Sequence, residues 1–286
     1  MKLKAAADAV GKPIYLEMSS INPVVILPGA LAERGDKLAE EFAGSCLLGN
    51  GQFCTSPGLV ILLSGEATER FATGVKAKLE ATTPSALLSS GVARSLAASV
   101  KALTDAGAQL VTGGSSLAVN RFANTLLRVN GDAFLASPEK LQTEAFGNAS
   151  MLVEARDASQ VTRILEHLEG NLTGAIYSDS KGSDDALYEQ LAPLLRARVG
   201  RLLNDKMPTG VAVSTAMNHG GPFPATGHPG FTSVGLPAAM RRFAALHCFD
   251  NVRSHRLPLP LRDKNPNGKM WRLIDGQWSR GDVAGA

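Results

Sequence analysis

Three positions combine a reactive or acid–base side chain with a backbone suited to presenting it. Cys54 ends the run Gly49-Asn50-Gly51-Gln52-Phe53-Cys54, and Pro57 and Gly58 follow. Glycines let backbone N–H groups converge on an anion. A thiol in such a loop suits a nucleophile whose neighbours hold an oxyanion. The competing role is that of a small buried hydrophobe, the usual fate of a free cysteine. That role is expected for Cys46 and Cys248, which lie in apolar stretches.

Glu17 closes the segment Ile14-Tyr15-Leu16-Glu17-Met18, read as a short strand. A carboxylate at the carboxyl edge of a strand in an α/β sheet stands where ligands bind, and partial burial would tune it for general-base work. A solvent-facing glutamate is the alternative. Glu144 and Phe146, in Thr143-Glu144-Ala145-Phe146-Gly147, place an acid beside an aromatic ring in a loop. Together they could hold a sugar hydroxyl and a flat ring.

Other constellations are missing from the sequence. It contains no GxGxxG run, no P-loop and no GxSxG elbow. His219-Gly220-Gly221 is similar to part of an esterase oxyanion segment but has no elbow to serve. His219, His228, His247 and His255 match no zinc spacing and are expected to be surface or loop histidines.

The elements that must carry these residues alternate between helix-like and strand-like periodicity, the pattern of an α/β fold with a mostly parallel sheet flanked by helices. Helices are expected over 2–10, 31–47, 67–81, 92–106, 158–168, 184–196 and 237–245. Strands are expected over 14–18, 24–27, 59–63, 109–112, 125–129, 149–154, 175–178 and 200–204. Residues 209–234, rich in Gly, Pro, Ser and Thr, read as a long functional loop. The segment Met270 to Trp278 reads as a short strand or hairpin suited to docking onto another subunit.

Composition excludes several classes. The chain has 286 residues, 44% of them hydrophobic, with a net charge of +3, so general disorder and a strongly basic nucleic-acid-binding domain are both excluded. Three cysteines are too few for a disulfide scaffold. Apolar runs such as Leu59 to Leu63 are far shorter than the roughly 20 residues of a membrane span. The first residues lack the apolar stretch of a signal peptide, and the expected compartment is the cytoplasm.

Taken together, three ordered motifs resemble the aldehyde dehydrogenase superfamily: Leu16-Glu17-Met18-Ser19-Ser20-Ile21-Asn22-Pro23, then Gly51-Gln52-Phe53-Cys54-Thr55, then Glu144-Ala145-Phe146-Gly147. The usual family form of the first is glutamate-leucine-glycine-glycine-lysine-asparagine-proline. The replacement by Met18, Ser19, Ser20 and Ile21 resembles the branch of α-ketoglutaric semialdehyde (2,5-dioxovalerate) dehydrogenases, as do the segment from Gly210 to Gly235 and the tail around Asn265-Pro266.

The resemblance implies a small-molecule aldehyde substrate, NADP or NAD as cofactor, and assembly as a homo-oligomer, with no nucleic acid and no membrane as partner. It implies Cys54 as nucleophile and Glu17 as the base for water. Met18, Glu144 and Phe146 would stand at the cofactor. It further implies that residues 1–20 are a remnant of a dinucleotide-binding domain, 21–255 the catalytic domain, and 256–286 a tail suited to oligomerisation. Most of the cofactor site and the oxyanion asparagine would then lie in residues this chain lacks, leaving the isolated chain inactive. Two other readings stay open. One is a non-enzymatic oligomerisation fragment; the other is a cysteine hydrolase pairing Cys54 with His219 or His228. For the distal carboxylate of a semialdehyde, Arg34, Arg121 and the loop 209–215 are the candidate clamps.

Overall fold

The computed structural model describes residues 1–230 and 237–283. It divides into two compact units, Met1–Arg242 and Phe243–Ala286.

In the first unit, α1 (Lys2–Asp8) buries no side chain. The strand β1 (Val24–Ile26) runs into α2 (Pro28–Leu47). Pro28 stands in the first turn of α2, where the absence of an N–H costs nothing. The next two amides, of Gly29 and Ala30, donate to the Asp184 carboxylate at 2.9 Å each, so a distant aspartate caps this helix. β2 (Leu59–Leu63), α3 (Glu66–Ala81), α4 (Ser90–Asp105), β3 (Gln109–Thr112), β4 (Ser116–Ala118), β5 (Arg121–Phe122), β6 (Thr125–Asn130), α5 (Gly131–Ala136) and α6 (Pro138–Leu141) follow. Then come β7 (Ala149–Ala155), α7 (Ala158–Glu166), β8 (Asn171–Tyr177), α8 (Asp185–Arg198) and β9 (Val199–Asn204).

Seven strands form one sheet in the order β3-β6-β7-β2-β1-β8-β9. Only the β3–β6 pair is antiparallel. Side chains alternate faces along a strand, and the core divides accordingly. Leu59 and Ile61 join Met151, Val153, Ile164 and Leu191 on one side. Val60 and Leu62 join Val24, Ile26, Phe42 and Phe71 on the other. β1, β7 and β8 are buried along their whole length, which is why they read as continuous apolar runs.

The mostly parallel α/β sheet agrees with the sequence expectation. Several elements differ. Residues 14–18 form no strand; Glu17 makes an isolated antiparallel bridge with Thr226 instead. Met18 N donates to Ala225 O at 2.8 Å, and Gly227 N to Leu16 O at 3.0 Å. The backbone partner of this segment is thus the long loop, not the sheet. The expected helix at 237–245 is a 3₁₀ turn over Pro237–Phe243. The short helices α5 and α6 and the β4–β5 hairpin have too few residues to register a periodicity. Residues 231–234 of the long loop lie outside the described residues.

The second unit contains the expected hairpin, β10 (Arg272–Ile274) with β11 (Gln277–Ser279). Its turn is Asp275-Gly276, both at positive φ (48° and 77°), as a tight two-residue turn requires. Asn265 ties the unit together by donating to the carbonyls of Met270 and Arg280. No helix among the described residues is long and apolar enough to cross a membrane.

Candidate active site

The sequence motifs meet at the amino ends of the parallel strands. Glu17 to Asn22 precede β1, Cys54 to Ser56 precede β2, Glu144 to Asn148 precede β7, and Gly170 precedes β8. This overturns the expected position of Glu17 at a strand's carboxyl edge.

Local geometry explains how Cys54 is presented. Gly49, Asn50 and Gly51 all have positive φ (58°, 57° and 70°), so α2 ends in a tight reversal. Asn22, fully buried with a φ of 45°, then fixes the far side of the loop. Its amide donates to the carbonyls of Cys54 and Ser56 at 2.9 Å each. Asn22 Oδ1 accepts from Ser20 Oγ at 2.9 Å and from Thr173 Oγ1 at 2.8 Å. Asn171 Oδ1 takes the Ile21 amide at 2.8 Å. A buried, mutually satisfied polar network of this kind rigidifies what it touches.

Cys54 Sγ lies 3.1 Å from His219 Nε2. The same nitrogen is 3.5 Å from Glu17 Oε1. The His219 side chain is only 5% exposed, whereas that of Glu17 is 42% exposed. Of the surface or loop positions expected, His219 takes a loop one; the loop 209–230 folds back and buries it against the thiol. Its hydrogen bonds with Cys54 and then Glu17 push it up to about 9, against the effect of its own burial. The His219 hydrogen bond, above all, holds Glu17 below the usual carboxylate range. No other group of His, Cys and carboxylate atoms gathers this closely among the described residues, and its contacts are those of proton-sharing groups.

Three glycines seat the His219 loop on the sheet. A Cβ on Gly200 would lie 1.4 Å from Gly220 O, one on Gly170 2.1 Å from Pro222 O, and one on Gly221 2.0 Å from Asn171 O. Only glycine allows these backbones to touch. Thr226 Oγ1 closes the loop by donating to Gly221 O at 2.6 Å.

Glu144 lies in a cleft with Phe53, Phe146, Ser20 and Met151. Burial raises its pKa to about 7, opposed by the Ser19 hydroxyl and the Ser20 amide and assisted by the charge of Glu17. Phe146 is 39% exposed at the cleft. A nicotinamide riboside requires a carboxylate for its hydroxyls and an apolar wall for its ring, and these residues fit that portion of a dinucleotide. Met18, next to Glu17 in sequence, is half-buried, with its amide bound to Ala225 O.

Of the candidate clamps, Arg34 is spent elsewhere. It is paired with Asp205 and bound to Ser178 O, both beyond the carboxyl ends of β8 and β9, at the opposite edge of the sheet. Arg121 is exposed in the β4–β5 hairpin. Arg201 in β9 was not singled out by spacing or motif. Its Nη1 contacts Met217 Sδ at 3.2 Å, its Nη2 contacts Pro208 O at 3.4 Å, and its Nε is buried without a partner. It has no carboxylate partner among the described residues, and burial, opposed by the proximity of Cys54, holds its pKa below the usual guanidinium value.

Of the other thiols, Cys46 is buried and Cys248 exposed. Burial pushes the Cys46 thiol far up, as an inert core cysteine requires.

Comparison with known proteins gives the family. The sequence profile of the aldehyde dehydrogenase family matches residues 1–221. Alpha-ketoglutaric semialdehyde dehydrogenase 2 of Azospirillum brasilense is 41% identical over 271 residues, 93% of this chain and 50% of that protein. The alpha-ketoglutaric semialdehyde dehydrogenase of Acinetobacter baylyi is 36% identical over 266 residues, 92% of this chain and 50% of that protein. The chain thus spans about half the length of the curated relatives it matches. Among solved structures, a 1-pyrroline-5-carboxylate dehydrogenase from Thermus with bound NAD superposes with a TM-score of 0.67 at 21% identity, over 85% of this chain and 46% of that one, a likeness of fold. The sheet order, the three motifs at its amino ends and the profile match make this chain a member of the aldehyde dehydrogenase family.

Proposed function

We propose that this chain is the catalytic part of an NAD(P)-dependent dehydrogenase that oxidises α-ketoglutaric semialdehyde to 2-oxoglutarate. One observation carries the reading: a thiol, an ionised carboxylate and a half-buried carboxyl, from three separate motifs, gather at one edge of the sheet. Cys54 attacks the aldehyde carbon, and its own backbone N–H donates to the oxyanion. The nicotinamide, when bound, supplies the acceptor for the hydride that leaves this carbon. Glu17, ionised and 42% exposed, has access to water and takes a proton from the molecule that attacks the Cys54 thioester. Glu144 and Phe146 hold the ribose and flank the ring; Met18 lies on the same side.

Arg201 is the clamp for the distal carboxylate. The half-buried guanidinium has only a sulfur and a carbonyl on its two Nη atoms and no partner on Nε, so an acid can replace weak contacts with charge-assisted ones. The names of the two curated relatives support the same substrate. The activity is proposed for the chain joined to a cofactor-binding segment, and the chain alone is expected to turn over little aldehyde.

The test is aldehyde-dependent NAD(P)H formation by the joined protein. Turnover of the acidic semialdehyde that vanishes in Cys54→Ser supports the reading; turnover surviving in that variant sinks it. The Cys54–His219 contact favours one second reading, a cysteine hydrolase. Ester hydrolysis that survives Glu17→Gln and is lost in His219→Gln, with no aldehyde oxidation, would select it.

A further inference from the structure

The nucleophile of this site has a base in addition to the carboxylate that serves water. His219 Nε2 faces two atoms, Cys54 Sγ at 3.1 Å and Glu17 Oε1 at 3.5 Å. Its Nδ1 is buried and has no partner. A ring nitrogen carries one proton in its plane, so Nε2 can share that proton with the sulfur or with the carboxylate. It cannot accept from the thiol and donate to Glu17 at once.

We propose that His219 accepts the Cys54 proton, so that the resting nucleophile is a thiolate–imidazolium pair with Glu17 as a second anion on the same nitrogen. The inference rests on the aldehyde-oxidising reading and deepens it by separating the two bases. The proton passes from Cys54 Sγ to His219 Nε2 and stays there. The thiolate forms the C–S bond while the carbonyl electron pair moves to oxygen. After hydride departure leaves the thioester, Glu17 takes one proton from the attacking water. The C–S bond then breaks, and its electron pair returns to sulfur, which again faces the imidazolium. Glu17 releases its proton to solvent.

Other charges bear on the pair. Cys54 and Glu17 both favour the imidazolium, and Arg201 feels the charge on Cys54. Arg242 and Glu144 act on Glu17 or through it. The burial of His219 opposes its charge, so the pair depends on the two anions beside it. In this site the carboxylate keeps the imidazole protonated, and the imidazole keeps the sulfur deprotonated.

The test is the rate of Cys54 alkylation by iodoacetamide against pH, read by peptide mass spectrometry. Exposed Cys248 is the reference in the same sample. In the unsubstituted protein, the Cys54 rate profile should lie at least one pH unit below that of Cys248. In His219→Gln the Cys54 profile should move onto that of Cys248, with a fall of about tenfold or more in rate at pH 6. Superposed Cys54 and Cys248 profiles in the unsubstituted protein would overturn the proposal. So would a profile unchanged in His219→Gln.

Should that variant fail to fold, ¹⁵N shifts of the His219 ring in the intact protein give a second reading. An imidazolium at pH 7 whose pKa falls in Cys54→Ala supports the pair; a neutral ring in the intact protein, or a ring pKa unchanged in Cys54→Ala, overturns it. The alkylation readout needs no aldehyde oxidation. A low Cys54 pKa without dehydrogenase turnover would overturn the proposed function and leave the pair standing.

Discussion

The side-chain amide of Asn22 holds the carbonyl of Cys54 at 2.9 Å, so the lead-in to one strand fixes the Cys54 loop that leads into its neighbour. Asn22 is 0% exposed and donates to Ser56 O as well. Asn22→Ala should leave two carbonyls without a donor and cost about 2–4 kcal/mol of unfolding free energy. Denaturant unfolding measures the cost. Cys54 alkylation should lose its distinction from Cys248 in the same variant.

Gly51 joins the nucleophile loop to the Glu144 loop. A Cβ there would lie 2.0 Å from Gly147 O, at a φ of +70°. Gly11 has a similar φ, +63°, with nothing within 4 Å. The two glycine-to-alanine substitutions therefore separate conformational strain from close approach. Gly11→Ala should cost about 1–2 kcal/mol. Gly51→Ala should cost clearly more and abolish Cys54 chemistry. Equal losses of Tm in the two variants would refute the claim that these loops are in close contact.

Glu144 gives the fold a pH dependence of known sign. Its carboxyl is raised from 4.5 to about 7 on folding, chiefly by burial. Below the lower value it is protonated in both states and costs nothing. As pH rises through the interval, the folded state must hold a charge it disfavours, and stability falls until about pH 7. Glu144→Gln should match the parent in unfolding free energy near pH 4.5 and exceed it above pH 7, by about 1–3 kcal/mol. A difference that does not vary with pH would contradict this assignment.

Arg201 should distinguish reagents by charge. Iodoacetate carries the carboxylate that iodoacetamide lacks, and both alkylate Cys54. Arg201→Met should lower the ratio of the two rates at Cys54 about tenfold and leave the ratio at Cys248 unchanged. An unaltered ratio at Cys54 would remove Arg201 from substrate recognition.

What the sequence reveals follows from where each interaction partner lies. β2 and β7 are legible because burial on both faces writes an apolar run directly into Leu59–Leu63 and Ala149–Ala155. Cys54 and Glu17 are legible because glycine and serine surround them in patterns that chemistry needs. Residues 14–18 mislead, because their apolar pattern is that of a strand while their backbone partner is Thr226. His219 is unreadable for a related reason: 165 residues separate it from Cys54, and neither flank predicts the contact. Arg201 sits within a strand, where local pattern gives no sign that its Nε is unpartnered.

The backbone contacts at Gly170, Gly200 and Gly221 bear on how such a site can diversify. They clamp residues 220–222 to the sheet, so the imidazole takes its position from the scaffold rather than from the span before it. Residues 212–216 of that span are exposed. They can change in length or composition while the contact between His219 and Cys54 stays where it is. Changes in the exposed span and changes at His219 then fall on different stretches of one loop.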